Sequence, residues 1–418
     1  MRRTKLALIG FFALAIAVTV RGDSVVASAV AVSLPPTGTR IDATNVSQYA
    51  SLIPKALMFS VDHGLTINVV ANQRITWPAG YQRDTEQFSA QVTLASNDAL
   101  QNYTAGLPFP QIDEQSPQAG VKVAYNWRFG PFQPRELSLT GDQKTAAYSI
   151  DPAHPARLLQ DESNRDYRNE NNCEHVLFMR IDRSTSSEDR RSLPEWKERG
   201  DQCGPDRAAS ITIRYSDPAR SDDDYGFIPA LRKWREFALQ GGYPNQSCTY
   251  ACTQLFWEYL PPKTEVYSIQ LVDKRPMLAC IEPRASSAGL VDGDTSSRFA
   301  QIDCEIRQTY ILDLSPRFQT PERILRARAY IDAETFLYLN GEFFRDREPD
   351  SDVAIWSLQH SPSGENTMML ANDFYIPADR PDFVLSLEVD SAKLVLDGNS
   401  VSKTMFNPRA ETLSDGQM

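Results

Sequence analysis

Short segments in which apolar and polar residues alternate recur through most of this 418-residue chain, and a chain patterned that way has to build sheet. In the C-terminal half the candidate strands are 264–272, 277–282, 304–314, 324–332, 335–344, 353–359 and 383–397. Ile331-Asp332-Ala333-Glu334-Thr335 lies between two of them and reads as a hairpin turn. Upstream, 65–71, 87–94, 121–129, 176–181 and 211–215 alternate in the same way, and 135–150 reads as two short strands around Thr140-Gly141-Asp142. In the 121–129 segment Val121, Val123, Tyr125, Trp127 and Phe129 share one face, which has to meet a core or a ligand.

Helical signals are few. Val46, Tyr49, Ala50, Ile53 and Leu57 have helical spacing, which predicts a helix over 44–61 capped by Thr44 or Asn45. Pro54 should kink that helix or end it early. Ser96-Asn97-Asp98 reads as a cap for a short helix through Tyr103. Gly106-Leu107-Pro108-Phe109-Pro110 suits neither helix nor central strand and predicts a fixed turn exposing apolar surface. Residues 160–172 are polar and fit a helix or a loop. The fold class is mainly β (α+β), a large, mostly antiparallel sheet with a few helices packed on one face.

The N-terminus sets the compartment expected for that sheet. Arg2, Arg3 and Lys5 precede an uncharged run from Leu6 to Val20, and small residues follow around Ala27, Ala29 and Ala31. That order is that of a cleaved export signal, and the run is shorter than the roughly 20 residues a membrane span needs. Residues 1–31 are expected to be removed, and 32–43 to form an arm before a single large domain over 44–400, with a disordered tail at 401–418. Cys173, Cys203, Cys248, Cys252, Cys280 and Cys304 then read as disulfides. Nearest neighbours suggest Cys173–Cys203, closing a surface excursion, Cys248–Cys252 and Cys280–Cys304, with other pairings open. A formal net charge of −11 argues against nucleic acid as a partner and favours solubility.

Catalytic signatures are missing. The chain has no Gly-x-Ser-x-Gly, His-Glu-x-x-His, phosphate-cradling loop or dinucleotide fingerprint, so no enzyme, cofactor or metal is expected. Ser60-Val61-Asp62-His63-Gly64 holds the residue types of a triad, but local adjacency rarely gives triad geometry; His63 reads as a turn residue and His175 as structural. Asp222-Asp223-Asp224 lacks calcium-loop spacing and reads as a solvated turn or a helix cap. Paired carboxylates of a hydrolase do not stand out.

Several segments together carry a resemblance. They are Trp77-Pro78 with Tyr81, Gly106-Leu107-Pro108-Phe109-Pro110, Asp217-Pro218-Ala219-Arg220-Ser221-Asp222-Asp223, Phe227-Ile228-Pro229-Ala230-Leu231-Arg232 and Tyr330-Ile331-Asp332-Ala333-Glu334-Thr335-Phe336. Their order over roughly 44–345 resembles a family of periplasmic Gram-negative proteins labelled outer membrane lipoprotein-sorting proteins, related to the LolA and LolB carriers. Two segments depart from that pattern, Arg232-Lys233-Trp234-Arg235-Glu236 and the charged Phe343-Phe344-Arg345-Asp346-Arg347. The resemblance implies a large curved antiparallel sheet forming an incomplete barrel, with helices covering its concave face and an apolar cleft between them. It also implies a soluble periplasmic carrier of a hydrophobic small molecule, lipid or lipoprotein, working with an inner-membrane transporter and an outer-membrane protein. The alternatives are a transporter-associated accessory protein without ligand, or a periplasmic hydrolase.

Tyr125, Trp127, Phe227, Leu231, Trp234, Trp257, Tyr310, Tyr330, Phe336 and Tyr338 are the candidate cleft residues, although such aromatic stripes are core more often than cleft. Arg232, Lys233 and Arg235 are the candidates for contact with a ligand head group or a partner.

Overall fold

Most of the alternating segments become strands, and helices are few. The structure, a computed structural model, describes residues 34–132, 136–140, 144–150, 158–160, 176–182, 195–201, 209–215, 223–228, 231–237, 264, 267–281, 301–317, 326–344, 349–360, 366–376, 382–388, 394–396 and 407. Strand β1 (Arg40–Ile41) is followed by helix α1 (Lys55–Asp62), β2 (Thr66–Val70), helix α2 (Ala79–Phe88), β3 (Thr93–Leu94), β4 (Leu100–Gln101) and helix α3 (Ala119–Arg128). Then come β5 (Glu136–Thr140), β6 (Lys144–Ile150), β7 (Leu158–Gln160), β8 (Val176–Asp182), β9 (Glu195–Asp201), β10 (Ala209–Tyr215), β11 (Asp223–Ile228) and β12 (Lys233–Phe237). The last are β13 (Tyr267–Ala279), β14 (Gln301–Pro316), β15 (Arg326–Asp332), β16 (Tyr338–Phe344), β17 (Asp350–His360), β18 (Asn366–Ile376), β19 (Phe383–Glu388) and β20 (Leu394–Leu396).

The chain divides these strands between two large sheets and a separate two-stranded sheet of β3 and β4. The first runs β1-β2-β14-β15-β16-β17-β18-β19-β6-β7, with β13 on the other edge of β14. Its ladders are antiparallel except β2 with β14, where Thr66 faces Gln301. The second runs β12-β11-β10-β9-β8-β5-β20 and is antiparallel throughout. The two strands expected over 135–150 therefore exist but do not pair: β5 joins the second sheet and β6 the first. The 383–397 segment splits likewise into β19 and β20. The molecule is mostly β, with a curled half-barrel sheet and few helices. The curl brings β13 back towards β17, where Ile281 bridges Trp356 and the Trp356 N–H donates to the Cys280 carbonyl at 3.0 Å.

Alternation separates the two faces of the curled sheet. Ala279, Ile281, Leu312, Leu314, Ala327, Ala329, Ala354 and Trp356 point to the face that carries α3. Leu278, Cys280, Val353 and Ile355 point to the opposite face, where Ala56, Leu57 and Val61 of α1 cover them. Between those regions the outer face is polar: Arg328 pairs with Asp313 at 2.8 Å, and Tyr330 donates to Glu342 at 2.9 Å. The inner face is apolar apart from the Tyr338 hydroxyl and Asp352.

Several segments depart from expectation for identifiable reasons. The 44–61 helix is interrupted: one turn forms at Val46–Tyr49 and α1 restarts at Lys55 with Pro54 as its cap, since proline has no N–H for a helix interior. The 87–94 strand is mostly wrong, because α2 runs to Phe88 and only Thr93–Leu94 is strand. Helix α2 buries just Thr85 and Phe88, so it leaves little apolar signature. No helix follows Ser96-Asn97-Asp98; β3 and β4 make a hairpin there, with Asp98 in the left-handed region (φ 65°), which Asp tolerates better than most residues. The Asp222–Asp224 turn is also corrected, because Asp223 opens β11. Strands 264–272 and 277–282 are one strand, β13, interrupted by a bulge between Leu271 and Asp273. Strands β9 and β18 were unforeseen; the β9 sequence Glu-Trp-Lys-Glu-Arg-Gly-Asp has no apolar alternation and is strand through pairing with β8 and β10. The hairpin turn after β15 is present as read.

Candidate functional site

The 121–129 segment is the main correction, and it makes the candidate site. It is not a strand but helix α3, in which every residue except Lys122 is buried. A helix enclosed on all sides needs no apolar stripe, so its sequence can carry any apolar spacing, including period two. Helix α3 lies on the inner face against β13, and Gly120 makes the approach possible. A Cβ there would stand 2.5 Å from the Leu271 backbone nitrogen, so any side chain drives the helix off the strand.

From α3 the aromatic residues reach into the sheet. Trp127 stacks on Tyr338 with ring centroids 5.4 Å apart. Tyr125 stacks on Phe129 and Phe129 on Tyr103, at 6.3 and 4.4 Å. The Asn126 side chain clasps the 106–110 turn: Phe109 N–H donates to its Oδ1 at 3.0 Å and its Nδ2 donates to the Phe109 carbonyl at 2.7 Å. That turn is fixed, as expected, but Leu107 and Phe109 are buried rather than exposed. Trp77, Tyr81, Leu94, Leu100, Tyr103 and Ile112 form a half-buried apolar rim around this core.

Beneath Trp127 the floor turns polar. Leu312, Ala329, Gly341 and Asp352 lie in one cross-strand row from β14 to β17. Tyr338 Oη donates to Asp352 Oδ1 at 2.7 Å, while the Trp356 indole N–H donates to the Tyr338 carbonyl at 2.6 Å. Asp352 is fully buried, and loss of solvation pushes its carboxyl up to about 7; the charge of Asp350 adds to this, while Tyr338 and backbone N–H groups oppose it. Gly341 is required here, since a Cβ would come within 2.0 Å of the Tyr338 hydroxyl.

A second buried polar group is a staple between strands. Arg307 donates to Asp332, to Glu305 at 2.9 Å and to Glu334 at 2.9 Å. It sits where the neighbour of β14 changes from β2, whose ladder ends at Glu305, to β15, whose ladder begins at Thr309. Gln73 of the departing chain is tied in through its N–H to Glu305 at 2.6 Å. Burial opposes the charge on Arg307, but Asp332, Glu305 and Glu334 outweigh it and hold the guanidinium above its ordinary value. Asp332 also accepts from the N–H groups of Glu334 and Thr335, which fixes the hairpin.

Among the described residues, no three or more His, Cys, Asp or Glu side chains are placed to hold a metal, and no helix is long and apolar enough to cross a membrane. His63 ends α1, its ring 4.3 Å from that of Phe59 and its Nδ1 2.7 Å from the Phe59 carbonyl.

The family model described as "Protein of unknown function (DUF1329)" matches residues 40–348. The chain belongs to the DUF1329 family. The match begins at β1 and stops just before β17, so Asp352 and Trp356 of this DUF1329 chain lie beyond it. No curated protein matches the sequence significantly. Among solved structures, the chain is similar to a DUF1329 family protein from Desulfovibrio piger (12% identity, 70% of this chain and 98% of that one, TM-score 0.42). It is also similar to a putative outer membrane lipoprotein-sorting protein domain from Vibrio parahaemolyticus (10%, 66% and 90%, 0.38). A third is a LolA superfamily protein from Nitrosomonas europaea (11%, 70% and 97%, 0.35).

Within this DUF1329 fold the candidate cleft residues divide into three groups. Tyr125, Trp127, Tyr310, Phe336 and Tyr338 meet in one apolar cluster on the inner face. Tyr330 is excluded from it, because alternation turns it outward to Met277 and Ile311. Phe227, Leu231 and Trp234, with Arg232, Lys233 and Arg235, belong to the β11–β12 hairpin of the other sheet. Leu231 is exposed there, not in a cleft. Trp257 and His175 lie outside the described residues, as do Cys173, Cys203, Cys248 and Cys252. Cys280 pairs with Cys304.

Sequence reasoning missed Gly120, Gly341, Asp352 and Trp356. Trp356 had a signal, as it lies in the 353–359 alternation. Asp350 and Asp352, just before that segment, carry no apolar signal.

Proposed function

We propose that this protein is a soluble periplasmic carrier or chaperone for a hydrophobic ligand, a lipid or the acyl chains of a lipoprotein, moved between the inner and outer membranes. The observation that supports it is an inner sheet face built from small residues, Ala327, Ala329, Gly341 and Ala354, beneath a helix that belongs to no sheet. In this state the Tyr338 hydroxyl occupies the space over Gly341, and Trp127 of α3 stacks on that ring. In the loaded state α3 and the 106–110 turn withdraw, and the ligand lies along Tyr125, Trp127, Tyr310, Phe336 and Tyr338. A chain of about sixteen carbons gains roughly 12 kcal/mol gross on burial, a scale that can offset displacement of one short helix. No catalytic group is needed.

Export fits the Cys280–Cys304 disulfide, which persists in oxidising compartments. We assign residues 1–31 to a cleaved signal, 32–43 to an arm, 44–400 to the carrier domain with its excursion near 173–203, and 401–418 to a tail. An inner-membrane transporter and an outer-membrane acceptor are the partners this reading calls for. The alternative is an accessory protein that docks a transporter and carries nothing. It is favoured by the same filled interior, since Trp127, Phe129 and Phe132 are each under about 2% exposed.

Native mass spectrometry of protein purified from the cell envelope, followed by hydrogen exchange with and without added lipid, separates the two. Co-purified lipid with loss of α3 protection on loading supports the carrier. No lipid uptake, with α3 protected throughout, leaves the accessory role.

A further inference from the structure

We infer that the β11–β12 hairpin is a docking tip for an anionic phospholipid surface. Leu231 stands at its turn 53% exposed, and it is one of the few large apolar side chains left in water among the described residues. Arg232, Lys233 and Arg235 beside it are all exposed. The backbone at Arg232, just before β12, is left-handed (φ 49°), and Leu231 precedes it. Trp234 is half-buried and pairs across the hairpin with Phe227, the position of an interfacial aromatic behind the tip. Among the described residues β12 is also the edge of its sheet.

Charge selects the occupant. From Tyr225 to Arg235 the only charged residues are the three cations. Glu236, opposite Tyr225, and the acids Asp223 and Asp224 lie towards the other end of the hairpin. The chain as a whole carries a formal charge of −11. Asp201 lies in the same cross-strand row as Phe227 and Trp234, so this end carries three hairpin cations against one acid, and an anionic bilayer that repels the body is met here first, which gives brief contact. A soluble acidic partner would match the cations but not an exposed leucine at a turn, whereas a headgroup layer with hydrocarbon beneath it matches both. The inference rests on the hairpin alone and stands whether or not the protein carries a ligand.

The test is flotation of the full mature protein with phosphatidylglycerol-containing vesicles and with pure phosphatidylcholine vesicles, at low and high salt. Binding to the anionic vesicles only, lost at high salt, is expected. Each cation near such a surface is worth about fivefold in affinity, so Arg232→Gln/Lys233→Gln/Arg235→Gln should weaken binding roughly a hundredfold. Leu231→Asp should weaken it by about tenfold or more. All four positions are surface or turn positions, and circular dichroism confirms that the variants fold. Equal binding to both lipids, no binding, or wild-type affinity in the triple variant overturns the inference.

Discussion

Gly341→Ala tests the floor of the inner face more sharply than any aromatic substitution. The added methyl would stand 2.0 Å from Tyr338 Oη and 3.0 Å from Asp352 Oδ1. The tyrosine cannot swing aside, because Trp127 stacks on its ring and Trp356 holds its carbonyl. Either β16 shifts against its neighbours, at about 1–3 kcal/mol for overpacking, or the Tyr338–Asp352 hydrogen bond breaks and leaves buried groups unpaired, at a further 1–3 kcal/mol or so. The expected loss in urea unfolding is about 1–3 kcal/mol for one response and about 2–6 kcal/mol where both occur. Tyr338→Phe removes the atom that is struck, and alone should lose about 1–2 kcal/mol through the missing donor to Asp352. Gly341→Ala combined with Tyr338→Phe should then cost clearly less than it does in wild type, a coupling of about 1–3 kcal/mol. Equal costs in the two backgrounds would refute the close approach of Gly341 to the Tyr338 hydroxyl.

Two further outcomes follow from the buried charges. Arg307→Met strands Glu305 and Asp332 and should destabilise by about 3–5 kcal/mol, whereas adding Glu305→Gln should recover part of that in the same urea assay; no recovery would mean that Arg307 acts through packing alone. The raised carboxyl of Asp352 means that the folded state holds a proton the unfolded chain releases, so stability should fall as pH rises from the ordinary aspartate value of 3.8 to about 7. Asp352→Asn keeps an acceptor for Tyr338 and should flatten that slope; an unchanged pH profile would remove Asp352 as its source.

The strands were legible where one face meets a core and the other meets water. Segments 264–272 and 324–332 show that contrast, with Tyr267 and Ile269, or Ala327 and Ala329, buried between more exposed neighbours, and the Asp332 turn after the second carries its own chemistry in the hydrogen bonds from Glu334 and Thr335. Legibility failed where that contrast vanishes. In β9 neither face is apolar in sequence, and pairing alone makes it strand. The division into two sheets was illegible as well, because the register of β5 against β8 and of β6 against β19 is set by residues far away along the chain.

Helix α3 failed for the opposite reason, and its failure is informative about the site. Its two contrasting surroundings are both protein, so Val121, Val123, Tyr125, Trp127 and Phe129 are buried whichever way each points. A segment with that property cannot be a surface cover of the kind expected from a helix with one apolar stripe. It has to sit inside something, with partners on every side. The sheet supplies the lower partners by shrinking its own side chains to Ala327, Ala329 and Gly341, and the 106–110 turn supplies the upper ones through Phe109 and Leu107. Gly341 makes room for the Tyr338 hydroxyl, and Gly120 lets the helix meet the backbone of β13. Each glycine is set by a partner distant in sequence, so the alternation in 121–129 identifies a helix only once those partners are known.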